Sequence, residues 1–213
     1  ADSRRSAGNG CNAADVAARV TAGAVLLDTR EATEFAACHP QGALHVGLDG
    51  QYASWVGTLL GPDAAIVLVA AAGRAEEGVM RLARVGYENV VGTLAGGCEA
   101  WCAAGLPSET LELMPMGDTP PAGWGLLDVR REPEWRSHRL PGATHIPLAQ
   151  LSERVGELNA NAPWLVMCAG GYRSMIGASV LLRAGFTRVA SAVGGVDAAR
   201  RAGAALVGET VVA

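Results

Sequence analysis

Two unbroken apolar runs stand out along this chain, residues 65–69 and 164–167. Neither contains a polar residue, the pattern of strands buried on both faces of a parallel sheet. Shorter apolar runs at 24–27 and at 125–127, the latter continued by Val129, predict the first strand of each half. Ile176, Val180, Leu181 and Ala184 recur at helical spacing, and Gly185 provides a stop. Residues 188–192 read as a strand that ends in Gly194-Gly195. Strand, helix and strand within about thirty residues make a parallel crossover. The pattern therefore predicts open α/β units.

The pattern also repeats. "AVLLDTREATEF" from residue 24 returns as "GLLDVRREPEW" from 125, and "HPQGALHV" from 39 returns as "RLPGATHI" from 139. "RLARVGYENVVGTLAGG" from 81 returns as "LLRAGFTRVASAVGG" from 181. An offset near one hundred residues is a normal domain length. The stretch 106–124 is rich in Pro, Gly and polar residues. The expected organisation is a domain at 1–107, a linker at 108–123 and a second domain at 124–213.

Composition narrows the function. Half of the 213 residues are apolar, 18% are charged and the net charge is −4. No basic stripe exists to collect phosphates, so no nucleic-acid partner is expected. The apolar runs are too short to span a bilayer, and no membrane partner is expected. All 17 basic residues in the Lys+Arg count are arginine. A lysine Schiff base and a Walker-type phosphate loop are therefore excluded. Arg4-Arg5 is followed by no apolar segment, so an export signal is not expected. A chain that begins at Ala1 is expected to be trimmed or a piece of a longer one.

The five cysteines are Cys11, Cys38, Cys98, Cys102 and Cys168. Odd number, irregular spacing and no CxxC pair point to reduced thiols, hence a cytoplasmic setting. Four histidines without clustered carboxylates or thiols predict no metal site, and no cofactor is expected. Cys98 and Cys102 lie one helical turn apart and would make a redox pair, a reading weighed below a packing role.

Cys168 is set apart by "VMCAGGYRS". It ends a buried strand, on the sheet edge where open α/β folds bind ligands. Ala169, Gly170, Gly171 and Tyr172 form a short loop, and a helix is expected to begin near Arg173 or Ser174. Gly-rich backbone can turn its N–H groups inward as an anion nest. The helix N-terminus and Arg173 add positive charge. A thiol there is expected to ionise below its free value of roughly 8.5 and to act as a nucleophile. Only four residues separate cysteine from arginine, whereas cysteine phosphatases have five. The smaller ring suits a single sulfur atom added to the thiol, a persulfide anion.

The second half resembles a rhodanese domain, a sulfurtransferase module, through "LLDVRREPEW", "HRLPGATHIPL", "LVMCAGGYRS", "LLRAGFTRV" and "VGG". The first half resembles the same family through "LLDTREATEF", "HPQGALHV" and "RLARVGYENVVGTLAGGCEAWCAAGLP". The resemblance implies two tandem five-stranded parallel sheets flanked by helices. It also implies that Cys168 takes a sulfane sulfur from thiosulfate or a low-molecular-weight persulfide and passes it to a thiol or cyanide. Residues 169–174 would hold the persulfide. Aligning the loops puts Val69 opposite Cys168 and Arg74 opposite Arg173, so the first domain is expected to be inactive. Glu76-Glu77 would further oppose an anion there. The short domains are similar to the rhodanese tail of fusion proteins in which a metallo-β-lactamase-fold persulfide dioxygenase comes first. Such a dioxygenase domain would lie outside this chain. A rival reading is a noncatalytic binding or redox-sensing module; a cysteine phosphatase or arsenate reductase is a weaker one.

The remaining candidates read as structural. Asp28, Arg30 and His45 recur as Asp128, Arg130 and His145, and an inactive copy has no use for catalytic groups. His39 and His138 are expected at the surface. Trp55, Trp124, Trp135 and Trp164 are expected to pack, and the family tryptophan kept as Trp101 is replaced by Ala199. Tyr172 either lines the mouth of the site or fills the turn.

Overall fold

The structure, a computed structural model, describes residues 10–117 and 121–208. The ends of both expected domains and part of the expected linker lie outside the described residues. The chain divides into two compact units between Thr110 and Leu111.

In the first unit the elements run β1 (Gly10–Cys11), α1 (Ala13–Thr21), β2 (Val25–Asp28), α2 (Ala32–Ala37), β3 (His39–Pro40), β4 (Leu44–His45), α3 (Tyr52–Leu59), β5 (Ile66–Val69), α4 (Ala75–Ala83), β6 (Val90–Leu94), α5 (Gly97–Ala103) and β7 (Ser108–Glu109). The second unit contains β8 (Glu112–Pro115), β9 (Gly125–Asp128), α6 (Glu132–Ser137), β10 (Thr144–His145), α7 (Leu151–Arg154), β11 (Trp164–Met167), α8 (Tyr172–Arg183), β12 (Val189–Val193) and α9 (Gly195–Arg201).

Each unit is a five-stranded parallel sheet flanked by helices. The order is β1-β6-β5-β2-β4 in the first and β10-β9-β11-β12-β8 in the second. The two polar-free runs became β5 and β11, and every residue of both is buried. Helices cover the faces, so a strand in the middle of the sheet has no solvated side. Helix α8 meets β11 so closely that a Cβ on Gly177 would press on Val166 and Val129. Gly78 of α4 stands in the same relation to Leu68.

The expected linker is not structureless. Within 108–123, β7 pairs antiparallel with β3 in the first unit, and β8 forms the outer strand of the second sheet beside β12. Edge strands need only one partner and carry a weaker apolar signature, which is why their Pro- and Glu-containing sequences read as linker.

Candidate active site

Cys168 is the first residue beyond β11. The parallel ladder ends there, where Val129 N–H donates to Met167 O at 3.0 Å. The next two carbonyls are turned onto another element. Val196 N–H donates to Cys168 O at 2.9 Å, and Asp197 N–H donates to Ala169 O at 3.1 Å. Both donors are in the first turn of α9, which would otherwise leave them without partners. With its carbonyls committed there, the loop presents an amide to the sulfur: Gly171 N–H donates to Cys168 Sγ at 3.1 Å. Gly171 has φ +117°, where a side chain is strained. Gly195 has φ +51°, and a Cβ there would land on the carbonyl oxygens of Cys168 and Ala169. The Gly194-Gly195 turn is thus what lets α9 approach the loop.

Helix α8 begins at Tyr172, one residue earlier than the sequence suggested. Ser174 Oγ donates to Gly171 O at 2.8 Å and receives a 3.0 Å bond from Ser191 Oγ of β12. Arg173 forms two parallel bonds to Glu134, both 2.7 Å. Glu134 also accepts from Arg131 N–H at 3.2 Å, capping α6. The Arg173 guanidinium holds the Glu134 carboxyl below the usual carboxylate range, and the carboxylate in turn raises the arginine. Arg173 therefore ties the loop to α6 and does not point freely at a ligand. The pattern left a trace of Glu134, since Glu34 occupies the same place in the repeat, but nothing in sequence linked it to Arg173.

The thiol lies at the floor of this loop. Cys168 is 1% exposed, while Ala169, Gly171, Tyr172 and Arg173 are half-buried and Gly170 is exposed. Of the residues expected to make the site, Gly171 bonds the sulfur, Ser174 and Arg173 brace the loop, and Ala169 and Gly170 shape it.

The paired residues of the first strands make the same bonds in both units, in keeping with the structural role expected of them. Arg130 clasps Asp128 at 2.7–3.0 Å and caps His138 O at 2.7 Å; Arg30 repeats this with Asp28 and Cys38 O. His145 and His45 donate to the carbonyls of Arg130 and Arg30 at 2.9 and 3.0 Å. His39, expected at the surface, is wholly buried: it stacks on Phe35 at 3.7 Å and donates to Phe35 O at 2.7 Å. His138 is half-buried. An imidazole can fill a core position when one nitrogen keeps a partner.

Sheet register corrects the alignment of the two loops. Met167 pairs with Asp128 and Val69 with Asp28, so Ala70, not Val69, stands where Cys168 stands. Gly78 and Gly177 occupy equal places, which keeps Arg74 opposite Arg173 and leaves the first loop one residue shorter. Arg74 turns away to Asp49, at 2.8 and 2.9 Å, and to Glu77 at 3.0 Å. What remains beside the loop is a cleft of about 440 Å³, lined among others by Arg30, Glu34, Gly73, Thr93 and Cys98. Near it three thiols converge, Cys38, Cys98 and Cys102. Sequence spacing placed only the last two together, because Cys38 comes from α2, sixty residues away from Cys98.

The family model described as "Rhodanese-like domain" matches residues 12–104 and again 107–202. The chain belongs to the rhodanese-like family, as two domains in tandem. Among curated proteins, it is 32% identical over 94 residues to the "Putative sulfur carrier protein YrkF" of Bacillus subtilis (strain 168), covering 44% of this chain and 51% of that protein. It is 37% identical over 89 residues to "Thiosulfate sulfurtransferase GlpE" of Haemophilus influenzae (strain PittEE), covering 41% of this chain and 82% of the relative. The chain thus spans only about half the length of the first of these. A solved thiosulfate sulfurtransferase from Pseudomonas aeruginosa aligns with 94% of this chain and 43% of its own, at 27% identity and a TM-score of 0.42. Among the described residues, no helix is long and apolar enough to cross a membrane.

Proposed function

We propose that the second domain is a sulfurtransferase working through a persulfide on Cys168. The observation that carries this is the amide of Gly171 aimed at Sγ from a loop whose carbonyls are bonded elsewhere. Main-chain donors fixed before reaction stabilise a developing anion without reorganising. Relatives named as sulfur carrier and thiosulfate sulfurtransferase support the same chemistry.

In the first step the Cys168 thiolate attacks the outer sulfur of thiosulfate. A sulfur–sulfur bond forms to Cys168, the donor's own sulfur–sulfur bond breaks, and sulfite leaves with that electron pair. A low-molecular-weight persulfide would donate in the same way, with a thiolate leaving. In the second step cyanide or a thiolate attacks the terminal sulfur, and the Cys168 thiolate departs. Neither step consumes an external oxidant or reductant. Intact-mass analysis after thiosulfate treatment tests the reading. The expected result is one added sulfur, removed by cyanide and missing in Cys168→Ser. A wild-type chain that gains no sulfur from thiosulfate or from a persulfide would overturn it.

A further inference from the structure

The sulfur-transfer reading leaves the four thiols of the first domain unused, and three of them converge. Cys38 closes α2, Cys98 lies in the first turn of α5, and Cys102 follows it one turn later. Their sulfur atoms stand 2.9 Å (Cys38–Cys98), 3.4 Å (Cys38–Cys102) and 4.0 Å (Cys98–Cys102) apart. Cys98 is buried, Cys38 half-buried and Cys102 exposed, so the triangle is sealed on one side and open on the other. The backbone around it is fixed. Arg30 Nη2 donates to Cys38 O at 2.8 Å, Cys38 N–H bonds Glu34 O at 3.2 Å, and the next two residues pair with Ser108 and Glu109.

The fold does not require thiols at these positions. Cys38 corresponds to His138, whose carbonyl also accepts from the strand arginine. Gly96 corresponds to Gly194, each with a left-handed φ and each facing an alanine four residues on. This places Val196 opposite Cys98 and Arg200 opposite Cys102. The second domain builds the same corner from imidazole, valine and guanidinium. Three convergent sulfurs are therefore particular to the domain that lacks the loop cysteine.

Thiols make weak hydrogen bonds, so packing three together gains little by itself. A metal ion with sulfur bonds of about 2.3 Å needs sulfur–sulfur edges of roughly 3.8–4.0 Å in tetrahedral or trigonal geometry. The 4.0 Å edge already meets this. The other two open by rotation of Cys38 and of the exposed Cys102. A disulfide, at about 2.05 Å, would use two of the sulfurs and leave the third idle. Among the described residues no carboxylate or imidazole joins the trio, which selects soft ions over oxygen-preferring ones.

We propose that Cys38, Cys98 and Cys102 form a three-thiolate site for one soft, thiophilic metal ion. Each thiol gives up its proton as its sulfur–metal bond forms, and nothing is oxidised. The site is independent of sulfur transfer at Cys168. The test uses the full chain carrying Cys168→Ser, reduced and free of oxygen, so that the Cys168 thiol does not compete for the ion and the buried Cys11 is the one thiol left outside the trio. Cd(II) is titrated by its sulfur-to-metal absorption, and Cu(I) against a competing chelator. The expected result is one equivalent bound, with Cys38, Cys98 and Cys102 protected together from alkylation. Cys102→Ser changes an exposed side chain and retains the fold. It is expected to weaken binding by at least about 10–100-fold, the loss typical of removing even an outer-shell partner. Failure of both probes to bind would overturn the proposal, as would affinity unchanged in Cys102→Ser and Cys38→Ser. Sulfur loading of Cys168 in the wild-type chain reads the transfer activity separately.

Discussion

The loops that follow β5 and β11 occupy the same corner of the same fold and differ in three ways. The second has Cys168, with four residues between it and Arg173, and a Glu134 that receives that arginine. The first has Ala70, with three residues between it and Arg74, and an arginine turned to Asp49 and Glu77. The remainder of the corner is shared: the buried Asp–Arg clasp, the histidine on the arginine carbonyl, and the Gly-Gly turn. A nucleophile alone is thus not what separates the two. The loop that holds its arginine inward is also the one that holds the thiol under an amide.

The sharpest way to break this comparison is to move the cysteine. Cys168→Ser is expected to lower sulfur transfer to the uncatalysed background. Adding Ala70→Cys to that variant is expected to restore none of it, because the shorter loop and the outward Arg74 do not rebuild the cradle. Thiosulfate–cyanide turnover measures both. Activity recovered in the double variant would show that the thiol, and not the loop, is the whole difference.

The two glycine turns give the next largest effect. Gly195→Ala would drive a Cβ into the carbonyls of Cys168 and Ala169. The expected cost is about 2–4 kcal/mol, with loss of sulfur loading. Gly97 has a similar φ of +59°, yet a Cβ there meets nothing within 4 Å. Gly97→Ala is expected to cost only about 1 kcal/mol, from backbone strain. Denaturant melts of the two variants compare them directly.

How much of this was readable beforehand depended on distance along the chain. β5, β11 and α8 were legible because their burial is encoded in consecutive apolar residues or in helical spacing. The Cys168 loop was legible because strand end, glycines, arginine and helix start are contiguous. Alignment slipped by one in the first loop because Ala70, Ala71 and Ala72 offer no landmark, and only hydrogen-bonded register resolves them. Strand β8 was missed because an edge strand beside β12 needs no apolar run of its own. The Arg173–Glu134 clasp and the Cys38–Cys98 contact join residues 39 and 60 positions apart, and no local pattern carries such pairs.

Neutralising the clasp is expected to have a smaller effect. Glu134→Gln frees Arg173 and loosens the loop, and turnover is expected to fall by roughly 10–100-fold through lost positioning. Global stability should change by less than about 1 kcal/mol, since the pair is partly solvated. Glu77→Gln, at the equivalent arginine of the first domain, should leave turnover unchanged. The clasp also has a pH signature. Glu134 sits below its unfolded value of about 4.3, so its contribution is complete above that pH and disappears as pH falls through the lower, folded value.

The smallest expected difference is a drift in acid stability through the histidines of the first domain. Burial pushes both His39 and His45 below the ordinary imidazole range. For His39 the bond to Phe35 O and the charges of Asp28 and Glu109 oppose that shift, while Arg30 reinforces it. For His45 Asp28 and the Arg30 carbonyl oppose it, and the Arg30 charge and His39 reinforce it. The unfolded chain takes up protons on these rings near pH 6.5, whereas the folded domain resists until lower pH. In that window the unfolded state binds more protons, so stability falls as pH falls. Thermal melts of the full chain from pH 8 to 5 should show the transition moving down below about pH 6.5. His39→Gln keeps a neutral, hydrogen-bonding group in place and should flatten the slope. A slope identical to that of the unaltered chain would mean that His39 takes up its proton in the fold as readily as in the unfolded chain, which the close stacking on Phe35 and the buried environment argue against.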